Sequence, residues 1–287
     1  MPSPMVSIVI PSYLSSRTIV RTLNSIKGQM YIGEVVISLN GNDNSEELIA
    51  DFRKGNPEIN VRILKAEEVV LSADANWNRA VKAANFEFTK LLCADDELMP
   101  NSIQWQVEFL AANPSCVLVS GLRQITDFDG KILRHKHGGV FLTDSNSYEK
   151  CLVSSALTGG NPIGEPSAVL FRTSQLKQAL PWSKENPYVI DLEMYLKLLR
   201  TTRMNLGFIR DEVSTFRVSN QSWSLRLIES QGKDFRELVK RELTNSETSM
   251  KFLLQIAPKF SSRLAALGRR FFYFKLSKSN SRESEKS

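Results

Sequence analysis

The sequence predicts an α/β protein: a mostly parallel, doubly wound sheet flanked by helices, with a helical extension at the C-terminus. Three observations predict it. Apolar runs of strand length alternate strictly with segments whose apolar residues recur every three or four positions. Alternation of that kind produces parallel strands joined by crossover helices. The strand-like runs end in polar, acidic or Gly-containing segments, which is where open sheets of this class bind ligands. Beyond residue 225 the spacing is helical.

The elements follow in order. MVSIVIP (5–11) reads as the first strand and TIVRTLNSI (18–26) as the helix returning from it. EVVISLN (34–40), SEELIADFRK (45–54) and NVRILKA (60–66) continue as strand, helix and strand. DANWNRAVKAA (74–84) is a helix with Asp74 as its N-cap; Trp77, Ala80, Val81 and Ala84 share its apolar face, Asn76 and Arg79 a polar one. FTKLLCA (88–94) is a strand, SIQWQVEFLAANP (102–114) a helix stopped by Asn113-Pro114, and CVLVSGL (116–122) a strand. DFDGK turns into a less legible segment. TGGNPIGEP (158–166) reads as a substrate-contacting loop ahead of the strand SAVLFR (167–172). PYVIDLEMYLKLLR (187–200) sets Leu192, Tyr195, Leu196 and Leu199 on one helical face, with Asp191 at its start. NLGFIRD is a strand, and TFRVSNQSWS (215–224) precedes the extension.

At 287 residues the chain holds one large α/β domain or two small ones. A formal charge of +6 suits anionic small molecules, anionic membrane surfaces or nucleic acid, and does not choose among them. Cys93, Cys116 and Cys151 form no CxxC pair and follow no signal peptide, so a reducing, cytoplasmic setting is expected. No window approaches the roughly 20 apolar residues of a membrane span.

In KLLCADDELMP (90–100) an apolar run delivers Asp95, Asp96 and Glu97 together at a strand end. Adjacent carboxylates beside a low-dielectric core repel one another unless a cation lies between them. Mg²⁺ uses one or two protein carboxylates and completes its shell with water and substrate phosphates, which such a pair can serve. The alternative is a solvated turn whose acids open the next helix.

MVSIVIPSY, EVVISLNGNDNSEEL and SADANWNRAVKAANFEFTKLLCADDELMPNSI resemble the nucleotide-binding half of inverting GT-A glycosyltransferases of family 2. GEPSAVLFR and IDLEMYLKLL resemble that family's acceptor half, so the likeness covers about residues 5 to 225 in order. It implies a GT-A nucleotide-diphospho-sugar transferase fold over 1–225, divided into a nucleotide-binding half (1–100) and an acceptor half (101–225). A helical extension (226–276) and a disordered tail (277–287) complete the expected organisation.

The resemblance also implies roles. Pro11 and Tyr13 end the first strand beneath the nucleotide base, with Tyr13 placed to stack on it. The usual acid pair after the second strand is replaced by Leu39-Asn40-Gly41, so Asn40 or Asp43 takes its place or the preferred base differs. Asn76 and Arg79 border the nucleotide. Asp95 matches the aspartate that binds Mg²⁺ or Mn²⁺ between the donor phosphates, and Asp96 would lie by the donor sugar or ribose. Cys93 stands where the family's first acid is usual, and a soft thiol is a poor ligand for a hard cation. Asp191 matches the general base that deprotonates the acceptor hydroxyl, with Glu193 its nearest competitor. Glu165 would reach acceptor or donor hydroxyls. Arg217 would compensate phosphate charge or lie on the surface. Ser219 takes a position at which relatives carry a His.

The expected partners are a nucleoside-diphosphate sugar and a glycan or glycolipid acceptor, with no nucleic acid. The expected activity is inverting sugar transfer in polysaccharide biosynthesis; the alternative is a non-catalytic relative serving as a sugar- or nucleotide-binding scaffold in a glycan-assembly complex. KFSSRLAALGRRFFYFKLSK (259–278) mixes basic and aromatic residues as an interfacial helix does, which would place the protein at the inner face of a membrane; a helix packed on the domain or forming a homodimer contact is the alternative. His135 and His137 lack a third ligand nearby, and no P-loop or GxGxxG fingerprint is present.

Overall fold

The computed structural model describes residues 5–65, 69–218, 227, 230–246 and 248–284, with side chains through residue 269. The first half is the expected alternation: β1 (Val6–Tyr13), α1 (Ile19–Asn24), β2 (Ile32–Asn40), α2 (Ser45–Gly55), β3 (Val61–Leu64), α3 (Ala73–Lys82), β4 (Phe88–Leu91) and α4 (Ser102–Ala112). The second half carries β5 (Cys116–Thr126), β6 (Ile132–His137), β7 (Ser145–Asn146), α5 (Tyr148–Thr158), β8 (Leu170–Arg172), α6 (Thr173–Ala179), α7 (Ile190–Thr202) and β9 (Asn205–Arg217). The extension is α8 (Gln231–Asn245) and α9 (Lys251–Ser284), so helix runs through most of the segment expected to be a disordered tail.

One nine-stranded sheet runs in the order β3-β2-β1-β4-β8-β5-β9-β7, with β6 paired to β5. β3, β2, β1 and β4 are parallel, as are β5 and β9, whereas β8 lies antiparallel to both β4 and β5. The sheet is therefore mixed, its parallel character concentrated where strand and helix alternate. The less legible segment explains the rest: DFDGK closes the hairpin between β5 and β6, and α5 and β7 follow without strong periodicity.

Alternate strand residues feed opposite faces of the sheet. Val6, Ile8 and Ile10 of β1 pack with Ile19 and Leu23 of α1, Ile49 and Phe52 of α2, and Ile103 and Val107 of α4. Val9 packs on the other face with Ala80 and Val81 of α3, Cys151 and Leu152 of α5, and the Leu192–Leu199 face of α7. The result is three layers, helices on both sides of the sheet. α8 docks through Phe235, Leu238 and Val239 and through a polar seam in which Tyr148 donates to Glu242 Oε2 at 2.9 Å.

Among the described residues no helix is long and apolar enough to cross a membrane.

Candidate active site

The C-terminal ends of β1, β2 and β4 meet at one edge of the sheet because these strands are parallel neighbours in register, with Tyr13 opposite Asn40. Tyr13 is half exposed. Gly41, at φ +81°, passes close beneath it; a Cβ there would lie 3.0 Å from Leu14 and 3.3 Å from the Tyr13 ring. Glycine supplies both the left-handed backbone and the room. Pro11 is buried within β1.

Several polar residues expected to meet the nucleotide are engaged within the protein. Asn40 donates to the Leu71 carbonyl at 2.9 Å and accepts from the Leu71 amide at 2.8 Å, fastening the segment after β3 to the end of β2. Asp43 accepts from the amides of Ser16 (2.9 Å) and Ser45 (3.0 Å), joining the loop after β1 to the start of α2. Burial pushes the Asp43 carboxyl up, but these hydrogen bonds outweigh it and hold it below its ordinary range. Asn76 is buried and accepts from Ser38 Oγ at 2.6 Å. Arg79 donates to the carbonyls of Leu39 and Lys65 at the ends of β2 and β3. The N-cap of α3 is Ser72 rather than Asp74, which falls in the first turn.

The three adjacent acids have three different environments. Asp95 is exposed, and among the described residues no hydrogen bond from another residue to its carboxylate is present. Asp96 is buried, and its two oxygens accept from Ser167 Oγ (2.6 Å) and from the Arg217 amide (3.0 Å). Burial first, then the Asp95 charge, pushes its carboxyl well above the usual range. Glu97 pairs with the Arg217 guanidinium, and its amide donates to Thr215 Oγ1 at 2.9 Å; it does not open α4, which starts at Ser102.

Arg217 is not a surface residue. Its side chain is 2% exposed, and it donates to the Asp95 carbonyl (2.8 Å) and the Phe128 carbonyl (2.6 Å) as well as to Glu97. The guanidinium thereby ties the acid segment to the turn between β5 and β6, and phosphate contact does not fit its placement. The adjoining positions Ser219 to Ser224 lie outside the described residues.

Ligand atoms of Cys93, Asp95 and Asp96 lie within 4.8 Å of one another. Burial, reinforced by the Asp96 and Asp95 charges, pushes the Cys93 thiol well above its ordinary range, so it stays protonated. With Asp96 committed to Ser167 and Arg217, Asp95 is the carboxylate available to a hard cation. A single protein carboxylate supplemented by phosphate and water oxygens fits Mg²⁺ or Mn²⁺.

The acceptor-half residues stand across a short 3₁₀ turn, Pro166–Ala168. Ser167 faces the first cluster: it donates to Asp96, and the Cys93 amide donates to its hydroxyl at 3.0 Å. Glu165, preceding the turn, forms an ion pair with Arg123, whose side chain is 2% exposed. Gly138 and Gly164, both with positive φ, leave room for that guanidinium. Asp191 sits in the first turn of α7, accepting from the Leu192 amide at 2.7 Å and from Asn161 Nδ2 at 2.8 Å. Burial, opposed by the Leu192 hydrogen bond and aided by the Glu165 charge, pushes the Asp191 carboxyl up to about 7. A partly buried carboxyl poised there is half ionised at neutral pH, the condition that favours a general base. Glu193 turns away, pairing with Arg241 of α8 at 2.7 Å. Residues two apart on a helix face different directions, which removes it from the Asp191 site.

His135 pairs with Glu212 at 3.4 Å, and the only metal-capable acid, Cys and His cluster among the described residues is the one at Cys93. The sequence reading passed over Arg123, Asn161 and Ser167. The one available signal was Arg123 itself, the only charge in β5, directly after the apolar run Cys116–Leu122.

The mixed sheet with helices on both faces has the fold of the GT-A glycosyltransferases. Residues 7–177 match the family described as glycosyl transferase family 2, and the chain belongs to that family. An uncharacterized protein of Mycobacterium tuberculosis is 27% identical over 75% of this chain and 67% of its own length. Poly-beta-1,6-N-acetyl-D-glucosamine synthase of Staphylococcus epidermidis is 26% identical over 63% of this chain, which spans 42% of that protein. Among solved structures, S. aureus TarS in complex with UDP-GlcNAc superposes with a TM-score of 0.65 at 15% identity, covering 88% of this chain and 70% of TarS. Mannosyltransferase PcManGT of Pyrobaculum calidifontis, in complex with GDP-Man and Mn²⁺, gives a TM-score of 0.67 at 16% identity, covering 92% and 73%. At these identities the structural likeness concerns the fold.

Proposed function

We propose that the protein is a metal-dependent inverting glycosyltransferase, moving a sugar from a nucleoside-diphosphate sugar to a glycan or lipid-linked glycan in polysaccharide biosynthesis. The observation that carries this reading is the Glu165–Ala168 segment. At one end Ser167 holds Asp96 beside Asp95, and at the other Glu165 acts on Asp191. The two halves of the reaction are thus joined by three residues of chain.

In this reading Tyr13 stacks on the base and Asp95 holds Mg²⁺ or Mn²⁺. The cation, when bound, neutralises charge on the departing diphosphate. Asp191 accepts the proton of an acceptor hydroxyl as its oxygen attacks the anomeric carbon, and the bond from that carbon to the phosphate oxygen breaks on the opposite side, inverting the centre. Asn161 fixes the direction of the Asp191 carboxylate. Arg123 retains Glu165 at the acceptor side. Asn40, Asp43 and Asn76 shape the nucleotide edge by bracing its loops.

The relatives support this choice of substrates: one is named for making an N-acetylglucosamine polymer, and two structural neighbours hold UDP-GlcNAc and GDP-Man. The test is a panel of nucleotide sugars, starting with those two, scored for Mn²⁺-dependent thermal stabilisation and for transfer. Stabilisation abolished by EDTA, with turnover abolished by Asp191→Asn, is expected. No nucleotide binding in Mn²⁺ overturns the reading. Binding without turnover across donors and acceptors would favour the scaffold, to which the neutral thiol at Cys93 points.

A further inference from the structure

α9 is amphipathic in the opposite sense to a helix that completes a core. Its Leu254 enters the core, but the side chains α9 turns toward the domain beyond that are small or polar: Pro258 and Ser262 are buried, Ser261 donates to the Ala156 carbonyl at 2.6 Å, and Arg269 donates to Gln231 at 2.7 Å. Five large apolar residues point outward. Phe252, Ile256, Phe260, Leu264 and Leu267 are spaced by three and four and lie on one side of the helix, with Phe252 75% and Leu264 70% exposed. An ordered apolar ridge of that length marks an interaction surface.

We propose that this outward face of α9 docks on an anionic lipid bilayer. Charge selects the occupant. Between residues 248 and 282 the sequence holds eight Lys and Arg and no Asp or Glu. Exposed Lys259 and Arg263 lie on the same side of the helix, each within about 20° of Phe252 when viewed down the axis. Apolar residues inserted at the headgroup level with basic residues beside them bind anionic membranes by burial and attraction together. A second copy is the poorer occupant. A two-fold contact sets the same patch against itself, so Lys259 and Arg263 would meet like charge, with no acid between residues 248 and 282 to answer it.

The position of α9 gives docking a consequence. A Cβ added at Gly159 would strike the backbone of Ser261 and Ser262, so the loop leaving α5 lies directly against α9. That loop leads to Asn161 and Glu165. A bilayer under α9 is therefore next to the acceptor side of the site, where a lipid-linked acceptor would present its sugar. The surface itself stands independently of the catalytic reading.

The test is flotation of the full chain with phosphatidylcholine vesicles, with and without phosphatidylglycerol. Binding to the phosphatidylglycerol vesicles alone is expected. It should fall about tenfold or more in Phe260→Ser with Leu264→Ser, and similarly in Lys259→Glu with Arg263→Glu. High salt should weaken the wild type. Unchanged thermal melts of both variants separate loss of docking from loss of fold, and nucleotide-sugar stabilisation, read separately, separates it from failure of the active-site assignment. Equal binding to neutral vesicles, or none to either, overturns the proposal. So does a dimer in sedimentation velocity that the Phe260 and Leu264 changes dissociate while vesicle binding is absent.

Discussion

Asp96 and Asp191 are both carboxyls raised by burial, yet their surroundings give them opposite capacities. At the β4 edge, Asp96 has each oxygen claimed, one by Ser167 and one by the Arg217 amide, and solvent does not reach it. At the start of α7, Asp191 is only partly buried, and the two groups that hold it are a side-chain amide and its neighbour's N–H. The first arrangement suits a brace. The second leaves a carboxyl oriented but open to a proton from outside. Hydrogen bonding and exposure, more than the direction of a pKa shift, separate a structural acid from one that can do chemistry.

The largest effect that would sharpen this contrast is at Asp191. Asp191→Asn is expected to lower kcat by about 10³-fold, within the range of general-base removal, while Mn²⁺-dependent stabilisation by the donor is kept. A larger loss in Glu193→Gln than in Asp191→Asn would break the assignment. The same substitution has a stability signature. Because the folded carboxyl sits at about 7, above its ordinary value near 3.8, the folded state holds this proton longer than the unfolded one. Its contribution is full below about pH 4 and is lost as pH rises through about 7. Thermal melts of Asp191→Asn should therefore gain on the wild type at pH 8 compared with pH 4.

On the opposite side of the comparison, Arg217→Met should leave Glu97 and the Asp95 and Phe128 carbonyls without their donor, while the backbone amide that holds Asp96 remains. Removing one partner of a buried ion pair costs about 3 to 5 kcal/mol, and the partial exposure of Glu97 lowers the expected loss to about 2 to 3 kcal/mol in urea unfolding. A change confined to donor affinity, with stability intact, would instead make Arg217 a phosphate contact. A smaller effect is expected from Glu165→Gln. Loss of its charge, and release of that of Arg123, should move the acid limb of the kcat profile to lower pH by about one unit or less. The smallest is Asp43→Ala, costing about 1 kcal/mol as a helix-start hydrogen bond is lost, with the preference among donor bases unchanged.

Much of the fold was legible because burial imposes a period. β1 through α4 follow the apolar spacing to within a few residues, and the strand ends pointed to the edge where Tyr13 and Asp95 lie. Between β6 and α6 only the strand at β8 was legible, because short elements that pack on a formed sheet need little periodicity of their own. The site divides similarly. Asp95 and Asp191 could be picked out by position and by resemblance, but Asn40, Asp43, Asn76, Arg217 and Glu193 carry the same polar side chains and proved to be committed to Leu71, Ser16, Ser38, Glu97 and Arg241.

By itself, then, the sequence determined the layered α/β architecture, the family and the strand end that gathers the acids, because periodicity and local motifs are properties of neighbouring residues. Which acid is free, which is braced and which is raised to about 7 was decided by the tertiary structure alone. Those properties depend on partners far along the chain, Arg217 beneath Asp95 and Glu165 beside Asp191, and electrostatics and hydrogen bonding act through space.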